Sequence, residues 1–572
     1  MKKVFYVASI CLFTVSIMMG ICYAENQFDF YPNKAQYRPS EKVGLILKVI
    51  DPSVEEVNLQ LSISHLNHEL FAQSKKIKLK LGQEIIAFYW YPPLSDFAGY
   101  GADLKIKDAA GKVIKELSTA FDVASDWTKF PRYGFVSDFS PGTGKADIRT
   151  KMQNLAKYHI NGLQFYDWMY RHDKLISPTE IFNDPLGRML SFQIVKDKIE
   201  IAKDFNIASM AYAAIYASSK KFYQEHPDWG LYDLRGQPIT FADGWLYIMN
   251  ISPGSPWNNH LIKQFKDAIR EVGFDGIHLD QYGYPEVGFS HLTDKKERIF
   301  LDTAFRDFIN QTSDMIKTDN DKAKVIFNAV NNWPIEEVAS SKEDIIYIEV
   351  WPPHSMYLDL VELIDDGRRL GGGKPVVLAA YIDPYKEIAV RIANAIIFSQ
   401  GGFHIELGEG KGMLADPYFP KYKEMSPELS RVMRNYYDFA VRYENLLSDS
   451  NLKPILAQLE MEDVITSVIA GFDLIFITTK EINNYEVLNL VNLYNMGFDW
   501  KEHKQTPPPQ FKNKEIKYYG GKGVKNVYWS TPDGSPGLKK LSFIWSQDDK
   551  GKYIKFVLPS LEYWDLIVID KE

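Results

Sequence analysis

Apolar and polar positions follow three successive rhythms along this chain. Between residues 25 and 124, runs such as KVGLILKVI (42–50), EVNLQLSIS (56–64) and EIIAFYWYP (84–92) are separated by polar or Pro/Gly turns. This pattern predicts an immunoglobulin-like β-sandwich. From residue 133 the rhythm changes. Eight apolar runs, at 133–139, 162–168, 207–216, 276–281, 324–330, 345–351, 375–382 and 401–407, alternate with segments of helical periodicity. In 255–273, Leu261, Phe265, Ala268, Ile269 and Val272 recur every three or four residues, and 297–317 shows the same spacing. Eight such units predict a (β/α)8 barrel over 125–445. An open doubly wound sheet is the alternative, but no GxGxxG follows the first strand and there is no P-loop. Beyond residue 446, DVITSVIAG (463–471), DLIFITT (473–479), VLNLVNLY (487–494), KYIKFVLP (552–559) and YWDLIVID (563–570) restore the strand rhythm and predict a second sandwich over 446–572. The expected fold class is α/β, a central TIM-type barrel flanked by N- and C-terminal β-sandwiches.

Composition narrows the function classes. With 45% apolar and 24% charged residues in 572, the chain reads as globular and multidomain. A net charge of −8 and no basic tract argue against nucleic acid as a partner. Residues 1–24 read as a secretory signal: Lys2 and Lys3, an apolar run from Val4 to Ile21, then Cys22-Tyr23-Ala24 with cleavage expected after Ala24. Cys11 and Cys22, the two cysteines, both lie inside it, so the mature chain is expected to lack thiols and disulfides. The expected location is periplasmic, cell-surface or extracellular, with no membrane attachment after cleavage. No HExxH or other metal motif occurs, and neither a metal nor another cofactor is expected.

In a (β/α)8 barrel the chemistry collects at the C-terminal ends of the strands. The run GFDGIHLDQYG (273–283) carries Asp280 there, at the end of the fourth strand. Other strand ends offer Asp138, Asp167, Asn328, Asn331, Glu349, Tyr381, Asp383, His404 and Glu406. Tyr166, Trp168, Tyr170, Trp333 and Trp351 crowd the same rim. A single acid in such a place can simply cap a turn or a helix. Many acids interleaved with aromatics read instead as a sugar cleft. Glycoside hydrolysis needs one carboxylate beside the anomeric carbon and one protonated carboxyl at the leaving oxygen. Acids on the fourth and sixth strands can face one substrate across a barrel mouth. For the aromatics ordinary packing is the competing reading, and for His159 and His172 a structural role is the expected one.

The runs RYGFVSDF, HINGLQFYDWMYRHDKL, GFDGIHLDQYG, IEVW and GGFHIELGEG, in this order on one barrel, resemble glycoside hydrolase family 66. That family comprises endo-dextranases and the cyclising enzymes that make cycloisomaltooligosaccharides. The resemblance implies Asp280 as nucleophile and Glu349 as general acid/base of a retaining enzyme, with dextran and isomaltooligosaccharides as partners. It further implies that burial and Asp280's charge raise the pKa of Glu349. Asp138, Asp167, Asn328, His404 and Glu406 become candidates for hydroxyl contacts, and Tyr166, Trp168, Trp333 and Trp351 for stacking platforms or cleft walls. Cyclising members carry a carbohydrate-binding module inserted in the barrel. Here only 18 residues (383–400) separate the seventh and eighth runs, which favours internal hydrolysis over cyclisation; a monomer is expected. Linear transglycosylation stays open as a variant. A catalytically dead glucan-binding barrel would have lost one of the two acids, and both are present.

Overall fold

The computed structural model describes residues 28–51, 55–93, 96–293, 296–501, 506–520, 523–534 and 536–572. The signal segment expected over 1–24, with Cys11 and Cys22, lies outside the described residues. At the centre are eight parallel strands: β1 (Tyr133–Val136), β2 (Gly162–Phe165), β3 (Ala208–Ala214), β4 (Gly276–Asp280), β5 (Lys324–Val330), β6 (Ile345–Glu349), β7 (Val376–Ala379) and β8 (Phe403–His404). Each pairs with the next in sequence order. The ring closes where the Phe135 N–H donates to the carbonyl of Leu407, 3.1 Å away. A Cβ added at Gly408 would come within 2.3 Å of the Phe135 ring, so glycine is what lets the last strand reach the first. The expected fold class is the one found.

Outside the ring lie α1 (Lys145–Lys157), α2 (Phe192–Asp204), α3 (Pro256–Asp267), α4 (Leu301–Lys317), α5 (Tyr357–Leu370), α6 (Glu387–Gln400) and α7 (Pro427–Arg442). Local chemistry sets several starts. Ser191, Ser255 and Ser426 cap α2, α3 and α7 by accepting from Ile194, Asn258 and Leu429 N–H, and Pro256 and Pro427 occupy the first helical positions. The helix expected over 297–317 begins later. Glu297–Phe300 is instead a strand paired with Val287–Ser290, because tertiary pairing in the β4–α4 connection overrides local periodicity.

Successive strand residues point to opposite sides, so inward positions recur every second residue. Tyr133, Met210, Ile326, Tyr347, Val377 and Phe403 fill the barrel interior together. His278 joins them, 4.7 Å from Tyr347 between ring centres and 5.9 Å from Tyr133. Burial drives the His278 pKa down to about 3, so this imidazole is neutral. Two residues further along the strands, the same inward column reaches Tyr212, Asp280, Asn328, Glu349 and, two steps beyond Val377, Tyr381.

The N-terminal sandwich packs a three-stranded sheet (Phe28–Pro32, Val43–Val49, Glu84–Trp90) on a four-stranded one (Glu56–His65, His68–Lys78, Ala98–Lys107, Val113–Val123). Leu45, Leu59, Trp90 and Phe121 lie in its core. It is pinned to α7 through Asp438, which accepts from the Thr119 hydroxyl at 2.8 Å and bonds His159 Nε2 at 2.7 Å. His159, wholly buried there, is structural.

The C-terminal sandwich has its own core, with Ile477, Leu488, Ile554 and Ile567. The strand expected over 463–471 is reduced to Thr466–Ser467. Ser467 Oγ accepts from the Ile469 N–H and turns the chain out of the sheet, which leaves Ile465, Val468 and Ile469 exposed.

Candidate active site

The top of the inward column gathers two carboxyl groups around one amide. Asn328, near the end of β5, uses its Nδ2 to donate to Asp280 Oδ1 at 2.7 Å and to Glu349 Oε2 at 3.0 Å. The two acceptor oxygens therefore lie within about 6 Å of one another. The remaining carboxylate oxygens also have donors. Tyr212 donates to Asp280 Oδ2 at 2.6 Å, and Tyr381 to Glu349 Oε1 at 2.8 Å. Trp351, one-third exposed, follows just after β6 and helps to favour the charged form of Glu349. Every one of these groups stands on a strand of the ring or within two residues of its end, so the rigid sheet sets their spacing.

Electrostatics make this pair a proton reservoir. Burial, then the charge of Glu349, pushes the Asp280 carboxyl up to about 7, against the pull of Tyr212 and Asn328. Burial also raises Glu349, against its bonds to Asn328, Tyr381 and Trp351. The upward direction expected for Glu349 is met, with burial as its leading cause. Two buried carboxyls sharing one donor resist double ionisation, so the pair titrates as a unit and keeps a proton near neutrality.

The other residues singled out from the sequence divide into those at the mouth and those turned away. Asp167 is at the mouth. Its left-handed backbone, φ 51°, turns the chain directly after β2. Burial raises its carboxyl to about 7, Arg188 at 3.9 Å opposes that, and the charges of Asp184 and Asp280 add to it. Tyr166 stacks on Phe419 with 4.3 Å between ring centres and leans on Tyr212 at 4.9 Å, forming one wall. Trp333 is partly buried, edge-on to Phe305 of α4, and its carbonyl accepts from Gln281 Nε2.

Four further residues have partners of their own. Asp138 caps the turn after β1, with Oδ1 accepting from both the N–H and the hydroxyl of Ser140 at 3.0 and 2.5 Å. Trp168 is fully buried, packed on Phe274, and donates its indole N–H to the Tyr212 carbonyl, so it is scaffold and not a platform. His404 and Glu406 have the opposite parity to Phe403 and Ile405, which face the barrel interior. They point to the helix layer, where Glu406 accepts from Asn394 of α6 and Tyr437 of α7 and His404 bonds Asn394.

Tyr212 and Arg188 escaped the sequence reading. Tyr212 lies inside an apolar run, and only its parity with Ala214 and Met210 marks it as inward. Trp500 of the C-terminal sandwich escaped as well. It is fully buried, and its indole N–H donates to the His354 carbonyl at 3.0 Å while its backbone N–H donates to Ser355. The sandwich thus clamps the loop that carries Trp351. Among the described residues, no group of three or more His, Cys, Asp or Glu is gathered closely enough to hold a metal ion.

Comparison with known proteins agrees with this geometry. A cycloisomaltooligosaccharide glucanotransferase of Niallia circulans is 26% identical over 703 aligned positions, covering 95% of this chain and 71% of the relative. A dextranase of Streptococcus salivarius is 22% identical, over 86% of this chain and 70% of its own. The crystal structure of a Paenibacillus sp. cycloisomaltooligosaccharide glucanotransferase, complexed with cycloisomaltoheptaose, superposes with a TM-score of 0.88 at 25% identity. That match covers 94% of this chain and 99% of the other. The family model for glycosyl hydrolase family 66 matches residues 32–568, and the chain belongs to that family.

Proposed function

We propose that the protein is an exported, monomeric, retaining endo-dextranase. It cleaves internal α-1,6-glucosidic linkages of dextran to linear isomaltooligosaccharides. The observation that carries this reading is the pair Asp280 and Glu349 sharing the Asn328 amide at the barrel mouth. Retaining enzymes hold their two carboxyls roughly 5–5.5 Å apart, whereas inverting ones leave about 6.5–9.5 Å for a water molecule. A limit of about 6 Å between the bonded oxygens supports double displacement.

Glu349, carrying the shared proton, gives it to the glycosidic oxygen as Asp280 attacks the anomeric carbon. Tyr212 and Asn328 hold the Asp280 oxygens in place for that attack. Once the glycosyl ester forms, Asp280 no longer carries charge. Glu349, deprotonated by that first step, then serves as the base for an incoming water. Asp167 is placed to bond substrate hydroxyls, and Tyr166 and Trp351 to line the cleft.

The substrate class rests on the dextranase and glucanotransferase relatives. Hydrolysis over cyclisation rests on chain length. The glucanotransferase match runs over 703 aligned positions against 572 residues here, so that relative holds more inside the matched span. In this chain α6 alone bridges β7 to β8. The second reading is transglycosylation, cyclising or linear, which the 26% identity to a glucanotransferase favours.

The test is incubation of the mature protein with dextran, with chromatography of the products and NMR of the first anomer released. Falling chain length with linear products in the α-configuration is expected. Cyclic products would move the reading to glucanotransferase, and unchanged dextran would refute both.

A further inference from the structure

The C-terminal sandwich contains a cavity of about 970 Å³ whose lining comes entirely from residues 455–571, with none from the barrel. It opens between the two sheets. Glu486 and Lys571 line it from the sheet holding Tyr485–Asn492 and Trp564–Lys571. Tyr518, Trp545 and Gln547 line it from the facing sheet of Phe511–Tyr518, Phe543–Asp548 and Gly551–Leu561. Trp545 is 50% exposed.

The floor says what kind of ligand fits. Lys571 Nζ donates to Glu486 Oε1 at 3.0 Å, and Tyr518 donates to Glu486 Oε2 at 2.7 Å. The charges at the bottom therefore neutralise one another, and the further cation of the lining, Lys552, is exposed to solvent, so an anion such as a phosphate finds no buried, unpaired cation at the floor. An acyl chain fits no better, because it would cover this ion pair without bonding it. A pyranose meets both demands. Its C–H face packs on an indole while its hydroxyl edges reach the amide of Gln547 and the polar floor. The volume is at the upper end of the roughly 300–1,000 Å³ of small-molecule sites, which suits a short run of sugar units.

We propose that this cavity is an accessory binding site for a segment of neutral α-1,6-glucan, with Trp545 as its stacking platform. It would hold the polymer while the barrel cleaves it, which raises the effective concentration of linkages at the mouth. The choice of glucan rests on the dextranase reading; the neutral carbohydrate class rests on the cavity itself.

The test uses the full mature chain made inactive by D280N, run in native gels containing dextran, beside D280N/W545A and D280N/W545F. Because Trp545 is a surface residue, all three should share one thermal midpoint. About tenfold weaker retardation of D280N/W545A is expected, largely restored by the aromatic W545F. In chains with Asp280 intact, W545A should raise KM for long dextran about tenfold more than KM for isomaltotetraose. Equal retardation of D280N and D280N/W545A, or no retardation of either, overturns the proposal. Failure of the dextranase reading shows separately, as wild-type protein that releases nothing from dextran while the gels still report binding.

Discussion

Glu349 and Glu406 have nearly the same hydrogen-bond partners and face opposite ways. Both follow or end a barrel strand, both are buried, and each accepts from one asparagine and one tyrosine: Asn328 and Tyr381 for Glu349, Asn394 and Tyr437 for Glu406. Hydrogen bonding therefore does not tell the two apart. Direction does. Glu349 stands on the inward column, and its asparagine is shared with a second carboxyl. Glu406 stands on the outward column, and its partners belong to α6 and α7, which close over it. A strand-end acid is a candidate for chemistry only when its parity matches that of the residues filling the barrel.

The comparison breaks most sharply at Asp280, the proposed nucleophile. D280N should lower the rate of reducing-end release from dextran by at least about 10⁴-fold. E406Q should keep that rate within about threefold and instead lower the thermal midpoint, since an amide replaces an acceptor facing two donors at a cost of about 1–3 kcal/mol. A large activity loss in E406Q would contradict its placement in the helix layer. Next comes E349Q, expected to slow natural dextran about 10³-fold but an aryl glucoside with a good leaving group by less than about tenfold. Equal losses on both substrates would deny Glu349 the acid role. N328A removes a donor to both carboxyls and should lower kcat about 10²-fold with little change in KM.

A pH series sharpens the contrast further. Asp280 is raised to about 7 in the folded protein, so the fold binds its proton more tightly than the unfolded chain does. The stability this contributes is present in full below the unfolded carboxylate pKa and is lost as pH rises through about 7. D280N should therefore gain on wild type in thermal midpoint at pH 8 but not at pH 5; a pH-independent difference would show that Asp280 does not titrate so high. The smallest effect is expected from W500F, which keeps the ring and loses the bond to His354. A few-fold fall in kcat with a displaced pH–rate profile would separate loop positioning from simple destabilisation.

Much of the fold was legible because parallel barrel strands are buried on both faces and read as compact apolar runs. All eight strands of the ring fall within the runs at 133–407. That same double burial hides parity. In GGFHIEL nothing local tells which of Phe403 and His404 faces inward, since His278, an inward residue of β4, is as polar as His404. Asp280, Asn328 and Glu349 were visible as strand-end polar groups, and the family resemblance paired the two acids. For Asp138 and Trp168 no local pattern carries the partners, the Ser140 turn and the Tyr212 carbonyl, that the structure shows. Tyr212 and Trp500 depend on contacts across 68 and 146 residues, which no local pattern carries.

The clamp of Trp500 on the loop after β6 bears on how this enzyme can be cut and rebuilt. Its barrel is not a cassette. A truncation ending near residue 446 would preserve every strand and both carboxyls, yet release the segment that holds Trp351 against Glu349. Grafting this barrel onto another scaffold would need residues 498–501, or a substitute for them, to travel with it.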